Sequence, residues 1–246
     1  MRIAWERHGA GPPLLLIHGL GYARWGWEPV VDPLARSFDV LLFDNRGIGD
    51  SEAPPGPYTA AELAGDAVQV LDEAGVERAH VLGTSLGGMV AQELALAQPH
   101  RLDRLVLACT TPGGEHAHPM PARTVALMTN GATLRDFVEN ALEPDPREDL
   151  VEQILRHRLA TAQPADAWAA QAAAGATFDA YERIGTIDAP TLVLHGDGDV
   201  VVDPQNAELL ARLLPHASLE LFPGTGHLFF WQQPERFVRV LEEFLL

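Results

Sequence analysis

His80-Val81-Leu82-Gly83-Thr84-Ser85-Leu86-Gly87 is the stretch on which the reading of the chain turns. His80–Leu82 is a short apolar run of the kind found in strands buried on both faces. Leu86 to about Gln98, closed by Pro99, carries the pattern of a helix. Gly83-Thr84-Ser85-Leu86-Gly87 joins the two and is a G-x-S-x-G pentapeptide. A sharp strand-to-helix turn there lifts Ser85 Oγ clear of the sheet, and the flanking glycines let neighbouring backbone pass close by. The helix start behind the serine aims N–H dipoles at any negative charge that develops. A glycine-rich tight turn with no chemistry shares the pentapeptide, but the strand before it and the helix after it mark Ser85 as a nucleophile.

The same alternation extends in both directions. Pro13-Leu14-Leu15-Leu16-Ile17 and Val40-Leu41-Leu42-Phe43 read as strands on the N-terminal side. Thr59 and Glu62 form a capping-box pair that opens a helix to about Glu73, stopped by Gly75. Leu105–Ala108, Thr191–Leu194 and Ser218–Phe222 read as further strands, with helices over 204–214 and from Pro234 onward. Strands alternating with helices imply βαβ units and a mostly parallel sheet. The rhythm breaks from about Pro112 to Asp188, where only alanine-rich helical stretches occur. The expected organisation is a core of 1–111 and 189–246, with a helical cap inserted at 112–188.

A serine nucleophile needs a base and a group to orient it. His227 lies in Gly224-Thr225-Gly226-His227, just past the last predicted strand, on a loop able to swing a ring over the strand ends. Asp197, Asp199 and Asp203 all follow the strand Thr191–Leu194. Asp203 precedes Pro204 and is expected to cap the next helix, and Asp199 is favoured over Asp197 as the acid. His18-Gly19-Leu20-Gly21 follows the first apolar run. The N–H of Leu20 and that of Leu86 are the expected oxyanion donors, and His18 is expected to be structural.

These pieces, together with Asp44-Asn45-Arg46-Gly47-Ile48-Gly49-Asp50-Ser51 and Gly196–Asp199, resemble the α/β-hydrolase fold superfamily, in its esterase, enol-lactonase and C–C hydrolase group. They stand in that family's order along essentially the whole chain. The resemblance implies an α/β fold with a mostly parallel sheet flanked by helices, the Ser85, Asp199, His227 triad, a cap at 112–188, and no cofactor or metal. The family's G-x-x-D placement is what prefers Asp199. The Asp44–Ser51 stretch resembles the family's D-x-R-G-x-G-x-S loop, and Arg46 is expected to tie that loop down.

Composition sets further bounds. The chain has 246 residues, enough for one large domain with an insertion. All 17 basic residues are arginine, which removes P-loop, Schiff-base and Ser–Lys chemistry. A net charge of −17 argues against nucleic acid and anionic membrane surfaces as partners. It is also expected to disfavour anionic substrates. Cys109 is the only cysteine, is expected to pack in the core, and excludes an internal disulfide. A cytoplasmic location is expected, because Met1–Arg7 has no signal-peptide pattern. His116 and His118 suggest metal ligands, but an exposed loop is the preferred reading. Tyr22, Trp25 and Leu228 near the site, and Met120, Met128, Phe137 and Trp168 in the insertion, are expected to line an apolar pocket. The expected activity is a serine hydrolase acting on a small, mainly apolar carboxylic ester or lactone. Alternatives are a 3-oxoadipate enol-lactonase-like enzyme, a C–C bond hydrolase, or a ligand-binding protein on the same scaffold. The sequence specifies no oligomeric state.

Overall fold

A computed structural model describes every residue, Met1–Leu246. Seven strands form one sheet: β1 (Trp5–Gly9), β2 (Pro13–Ile17), β3 (Asp39–Phe43), β4 (Ala79–Thr84), β5 (Leu102–Ala108), β6 (Thr191–Gly196) and β7 (Ala217–Phe222). Their order across the sheet is β1-β3-β2-β4-β5-β6-β7. Every pair is parallel except β1 with β3. Six strands fall where the apolar runs place them. β1 escapes that reading because Trp5-Glu6-Arg7-His8-Gly9 is polar. It is an edge strand with little of it buried, and charge at an edge discourages pairing with other chains.

Helices cover both faces. They are α1 (Glu28–Leu34), α2 (Ala60–Glu73) and α3 (Leu86–Ala97); α4 (Ala122–Thr129), α5 (Leu134–Leu142), α6 (Glu148–Ala160) and α7 (Ala165–Ala176); and α8 (Gln205–Leu213), α9 (Phe229–Gln232) and α10 (Pro234–Leu245). The capping box opens α2: the Glu62 N–H donates to Thr59 Oγ1 at 3.2 Å, and the Thr59 N–H donates to the Glu62 carboxylate at 2.8 Å. Gly75, at φ +68°, carries the chain out of α2. None of the helices is long and apolar enough to cross a membrane.

Alternation along each strand divides the core in two. Leu15, Ile17, Leu41, Val81 and Leu105 pack with α2, α3 and α8 in a cluster of 30 buried residues. Leu14, Leu16, Val40, Leu82 and Val106 pack with α1 and α10 in a cluster of 29, so the sheet is covered about equally on both faces. Both clusters extend into the helices between β5 and β6. Ala170 and Ala174 of α7 join the first, and Val138, Leu142, Val151 and Ile154 join the second. The chain leaves and rejoins the sheet layer at adjoining points. Gly113 bridges Asp179, and the Ala180 N–H donates to Pro112 O at 2.9 Å.

Candidate active site

The C-terminal ends of the parallel strands bring the chemistry-bearing residues together. Ser85 is the residue between β4 and α3, held at φ 55° and ψ −121°. A side chain in this left-handed region costs on the order of 1–3 kcal/mol and persists only where its surroundings enforce it. The Ser85 N–H donates to Ala108 O at 2.9 Å, and the hydroxyl of Thr110 donates to Ser85 O at 2.8 Å. The glycines earn their places by closeness: a Cβ on Gly83 would meet Gly87 O at 2.1 Å, and one on Gly87 would meet Ile17 O at 2.1 Å. Helix α3 is thereby pressed against the end of β2.

The loop after β2 lies against the serine. A Cβ on Gly19 would stand 2.8 Å from Ser85 Cβ and 3.4 Å from its Oγ. His18 is buried, accepts from the Gly19 N–H at its own Nδ1 (2.7 Å), and stacks on Tyr22 with ring centroids 4.6 Å apart. Burial pushes the His18 imidazole down to about 3, so this ring is neutral near pH 7. Asn45 Nδ2 donates to His18 O at 2.9 Å, tying the 44–51 loop to this one. Arg46 grips the buried Asp66 of α2 through two bonds of 2.6 and 2.7 Å, so it fastens the loop and does not face the serine.

Across the strand ends, His227 Nδ1–H donates to Asp199 Oδ2 at 2.8 Å. Asp199 is buried and its carboxylate is fully engaged. Oδ1 accepts from the N–H groups of Val201 and Val202 at 2.7 and 3.0 Å, and Oδ2 also accepts from His195 Nε2–H at 3.0 Å. Burial alone would push this carboxyl up; the charge of His227 and the hydrogen bonds from His195 and His227 outweigh it and hold the carboxyl well below the ordinary carboxylate range. Burial likewise pushes the His227 imidazole down, but Asp199 beside it, with a smaller contribution from Cys109, raises it well above its ordinary value. With Nδ1 donating to Asp199, Nε2 is the free nitrogen.

The three aspartates separate by their bonds. Asp197 is exposed and accepts from the Gly224 N–H at 2.7 Å, bracing the loop that carries His227. Asp203 accepts from the Gln205 N–H at 2.9 Å at the start of α8, one residue later than the sequence suggests. His195 escaped the sequence reading. Its Nε2–H is shared between Asp199 Oδ2 and Val202 O (3.1 Å), while its Nδ1 is buried without a partner. The available signal was a histidine ending an otherwise apolar strand, four residues before the acid.

The residues expected to form a pocket do not behave alike. Leu228 is buried beside His227, and Tyr22, Trp25 and Trp168 are half-buried. Trp25 stacks on His157 and donates from Nε1 to Thr161 Oγ1 at 2.8 Å. Met120, Met128 and Phe137 are 43, 50 and 37% exposed, so they do not form a closed roof. Met120 lies in the irregular segment before α4, and the short helices α4 and α5 turn Met128 and Phe137 toward water. A cavity of about 670 Å³ opens between the 44–53 loop and the turn joining α6 to α7. Trp25 is the only one of these residues that lines it, and Ser85, Asp199 and His227 are absent from its wall. His116 and His118 lie in an irregular segment; His116 sits beside Glu115 and Tyr181, and the His118 backbone exchanges hydrogen bonds with Asn206. Cys109 is buried in the second core cluster at φ 42°.

Known proteins resemble this chain in sequence and fold over nearly its whole length. The profile of the alpha/beta hydrolase fold family matches residues 12–234. The 2-hydroxy-6-oxononadienedioate/2-hydroxy-6-oxononatrienedioate hydrolase of Cupriavidus pinatubonensis is 33% identical over 99% of this chain and 90% of its own. The pimeloyl-acyl-carrier-protein methyl ester esterase of Aeromonas hydrophila is 30% identical over 100% of both. The crystal structure of the enol-lactonase from Burkholderia xenovorans superposes with a TM-score of 0.86 at 27% identity, covering 99% of this chain and 96% of that one. On the family profile and these relatives, the chain, with its seven-stranded, mostly parallel sheet, belongs to the α/β-hydrolase fold family and is a hydrolase.

Proposed function

We propose that the chain is a serine hydrolase that cleaves a carboxylic ester or lactone of a small, mainly apolar substrate. The observation that carries this reading is the buried 2.8 Å Asp199–His227 bond, set at the same end of the sheet at which Ser85, at φ 55°, leaves β4 for α3. Ser85 Oγ attacks the carbonyl carbon while its proton passes to His227 Nε2. The oxyanion of the tetrahedral intermediate is held by the N–H groups of Leu20 and Leu86. Collapse expels the alcohol, which takes the proton from His227, and leaves an acyl-enzyme. Water, deprotonated by His227, then releases the acid and restores Ser85. Asp199 stays ionised throughout and keeps Nδ1 protonated, so that Nε2 alone accepts the serine proton.

In this reading residues 112–188 form the cap over the site. A lactone is an internal ester, so the same steps open it, and names among the relatives, a methyl ester esterase and an enol-lactonase, fit one chemistry. Labelling by a fluorophosphonate probe tests the proposal: wild type is expected to react at Ser85, and Ser85→Ala is expected to remain unlabelled. A chain that takes no label and hydrolyses no ester, lactone or C–C substrate would instead be a binding protein on this scaffold.

A further inference from the structure

His195 is the penultimate residue of β6, and its side chain is fully buried. The residues before it, Thr191-Leu192-Val193-Leu194, are mostly apolar. Another apolar side chain at 195 would bury no polar atom, whereas the imidazole buries two and leaves Nδ1 without a partner. A buried polar atom left unpaired costs free energy, so what the ring contributes must come from its other nitrogen. Nε2–H donates to Asp199 Oδ2 at 3.0 Å and to Val202 O at 3.1 Å. Both partners are acceptors, which places the proton on Nε2.

The backbone around the acid and the base is pinned independently. The Gly198 N–H donates to Thr225 O at 2.9 Å, the Asp199 N–H donates to Gly196 O at 3.2 Å, and a Cβ on Gly196 would meet Gly226 O at 2.2 Å. What remains to be set is the carboxylate itself. Its Oδ1 is held by the Val201 and Val202 N–H groups, while Oδ2 accepts from two imidazoles, His195 at 3.0 Å and His227 at 2.8 Å. The two rings therefore compete for one oxygen, and the His195 N–H dipole turns its positive end toward His227. No other titratable group bonds Oδ2. Cys109 at the end of β5 acts on His227, as do His18 and Tyr22 after β2, with Arg158 of α6 acting on those two. Glu143, whose carbonyl lies against Gly226, is paired with Arg123, and Asp197 holds the Gly224 N–H.

We propose that His195 is a positioning residue that acts through Asp199: its N–H keeps Oδ2 in line with His227 Nδ1 and draws on the same lone pairs, so that the carboxylate orients the imidazole without over-stabilising the imidazolium. This rests on the serine-hydrolase reading and deepens it. The sign of the effect follows from the geometry. With the His195 donor gone, Oδ2 is left to His227 alone, and a positive dipole end no longer faces the imidazolium. Both changes favour the charged ring, so the pH at which His227 becomes a base moves up.

The test uses His195→Phe, which keeps a flat ring and loses the N–H, and His195→Gln, which returns an N–H to the place of Nε2. In the pH profile of kcat/KM for p-nitrophenyl butyrate, His195→Phe is expected to move the acid limb up by about 0.5–1 unit, the effect of one hydrogen bond. His195→Gln is expected to stay within about 0.3 unit of wild type. A His195→Phe limb displaced by less than about 0.3 unit, or displaced downward, overturns the proposal. So does a His195→Gln limb displaced as far as that of His195→Phe, because the N–H would then not be what matters. A fall in Tm and kcat with the limb in place would make His195 a packing residue and also overturns it. If His195→Phe does not fold, His195→Met takes its place in the same comparison. An NMR titration of the His227 ring in protein carrying isotope-labelled histidine reads the same displacement without substrate. It therefore decides the proposal even if the hydrolase reading fails, a failure that shows separately as absence of Ser85 labelling and of turnover.

Discussion

Replacing Asp199 by asparagine changes one atom and reorganises three side chains. The retained oxygen keeps the bonds from the Val201 and Val202 N–H groups, so the loop geometry survives. The new NH₂ then faces His227 Nδ1 and His195 Nε2, both of which now donate to Oδ2. Two donors cannot face a donor, so each ring must change tautomer. His227 would carry its proton on Nε2, the nitrogen needed to accept the serine proton, and kcat should fall by about 10⁴. His195 can move its proton to Nδ1, which has no partner, but Val202 O then loses its donor. An orphaned buried carbonyl and the loss of charge-assisted bonds, offset in part by no longer burying a charge, should cost about 2 kcal/mol. For a chain of this size that is a fall in Tm of about 4–8 °C. Steady-state hydrolysis of p-nitrophenyl butyrate and a thermal melt read the two effects independently. Asp197→Asn keeps the acceptor for the Gly224 N–H and should leave both nearly unchanged. If Asp199→Asn keeps more than a tenth of wild-type kcat, or if Asp197→Asn is the crippling change, the assignment of the acid is refuted.

Ser85→Ala should lower kcat by about 10⁴–10⁶ with the fold retained; residual activity near wild type, with contamination excluded, would remove the nucleophile. The pH profile of kcat/KM tests the charge on His227. Only the neutral ring can accept a proton, and Asp199 raises the pH at which the ring loses its own, so activity should rise with pH with a midpoint above 6.5. In Asp199→Asn the limb should move to lower pH, and a wild-type midpoint below 6.5 would contradict the argument. Gly26→Ala would put a Cβ 2.4 Å from His18 Nε2, and that ring is wedged between Tyr22 and Trp27. The expected cost is about 1–3 kcal/mol, read as a lowered Tm, and an unchanged melt would show that the loop yields more easily than its packing suggests.

What the sequence disclosed follows from how local each signal is. β2 to β6 are legible because a strand buried on both faces carries a run of apolar residues, β7, the other edge, because Leu219, Leu221 and Phe222 still mark it, and the elbow because strand, serine and helix are contiguous. β1 is not, since an edge strand needs only backbone pairing and Glu6, Arg7 and His8 look like loop. α4 to α7 show as a gap in the strand rhythm without individual bounds, because their apolar faces are divided between two core clusters and solvent. Met128 and Phe137 illustrate the consequence: apolar side chains at helical spacing do not say which way the helix is turned. His195 is marked only faintly, by its place near the end of an apolar strand. What distinguishes it is the turn over 196–202, which folds Asp199 and Val202 O back onto its ring.

The bridge from Gly113 to Asp179 brings the two ends of the inserted helices side by side. The sheet therefore sees only a short gap between β5 and β6, whatever length of chain is looped out from it, and closing a longer loop adds little entropy. Such a segment can be exchanged for another of different length and shape without altering strand register. It cannot simply be deleted. Val138, Leu142, Val151 and Ile154 complete the same apolar cluster as Leu14 and Leu82 of the sheet, so a chain shortened across the bridge would expose that cluster to water. The insertion is replaceable as a module and indispensable as a cover.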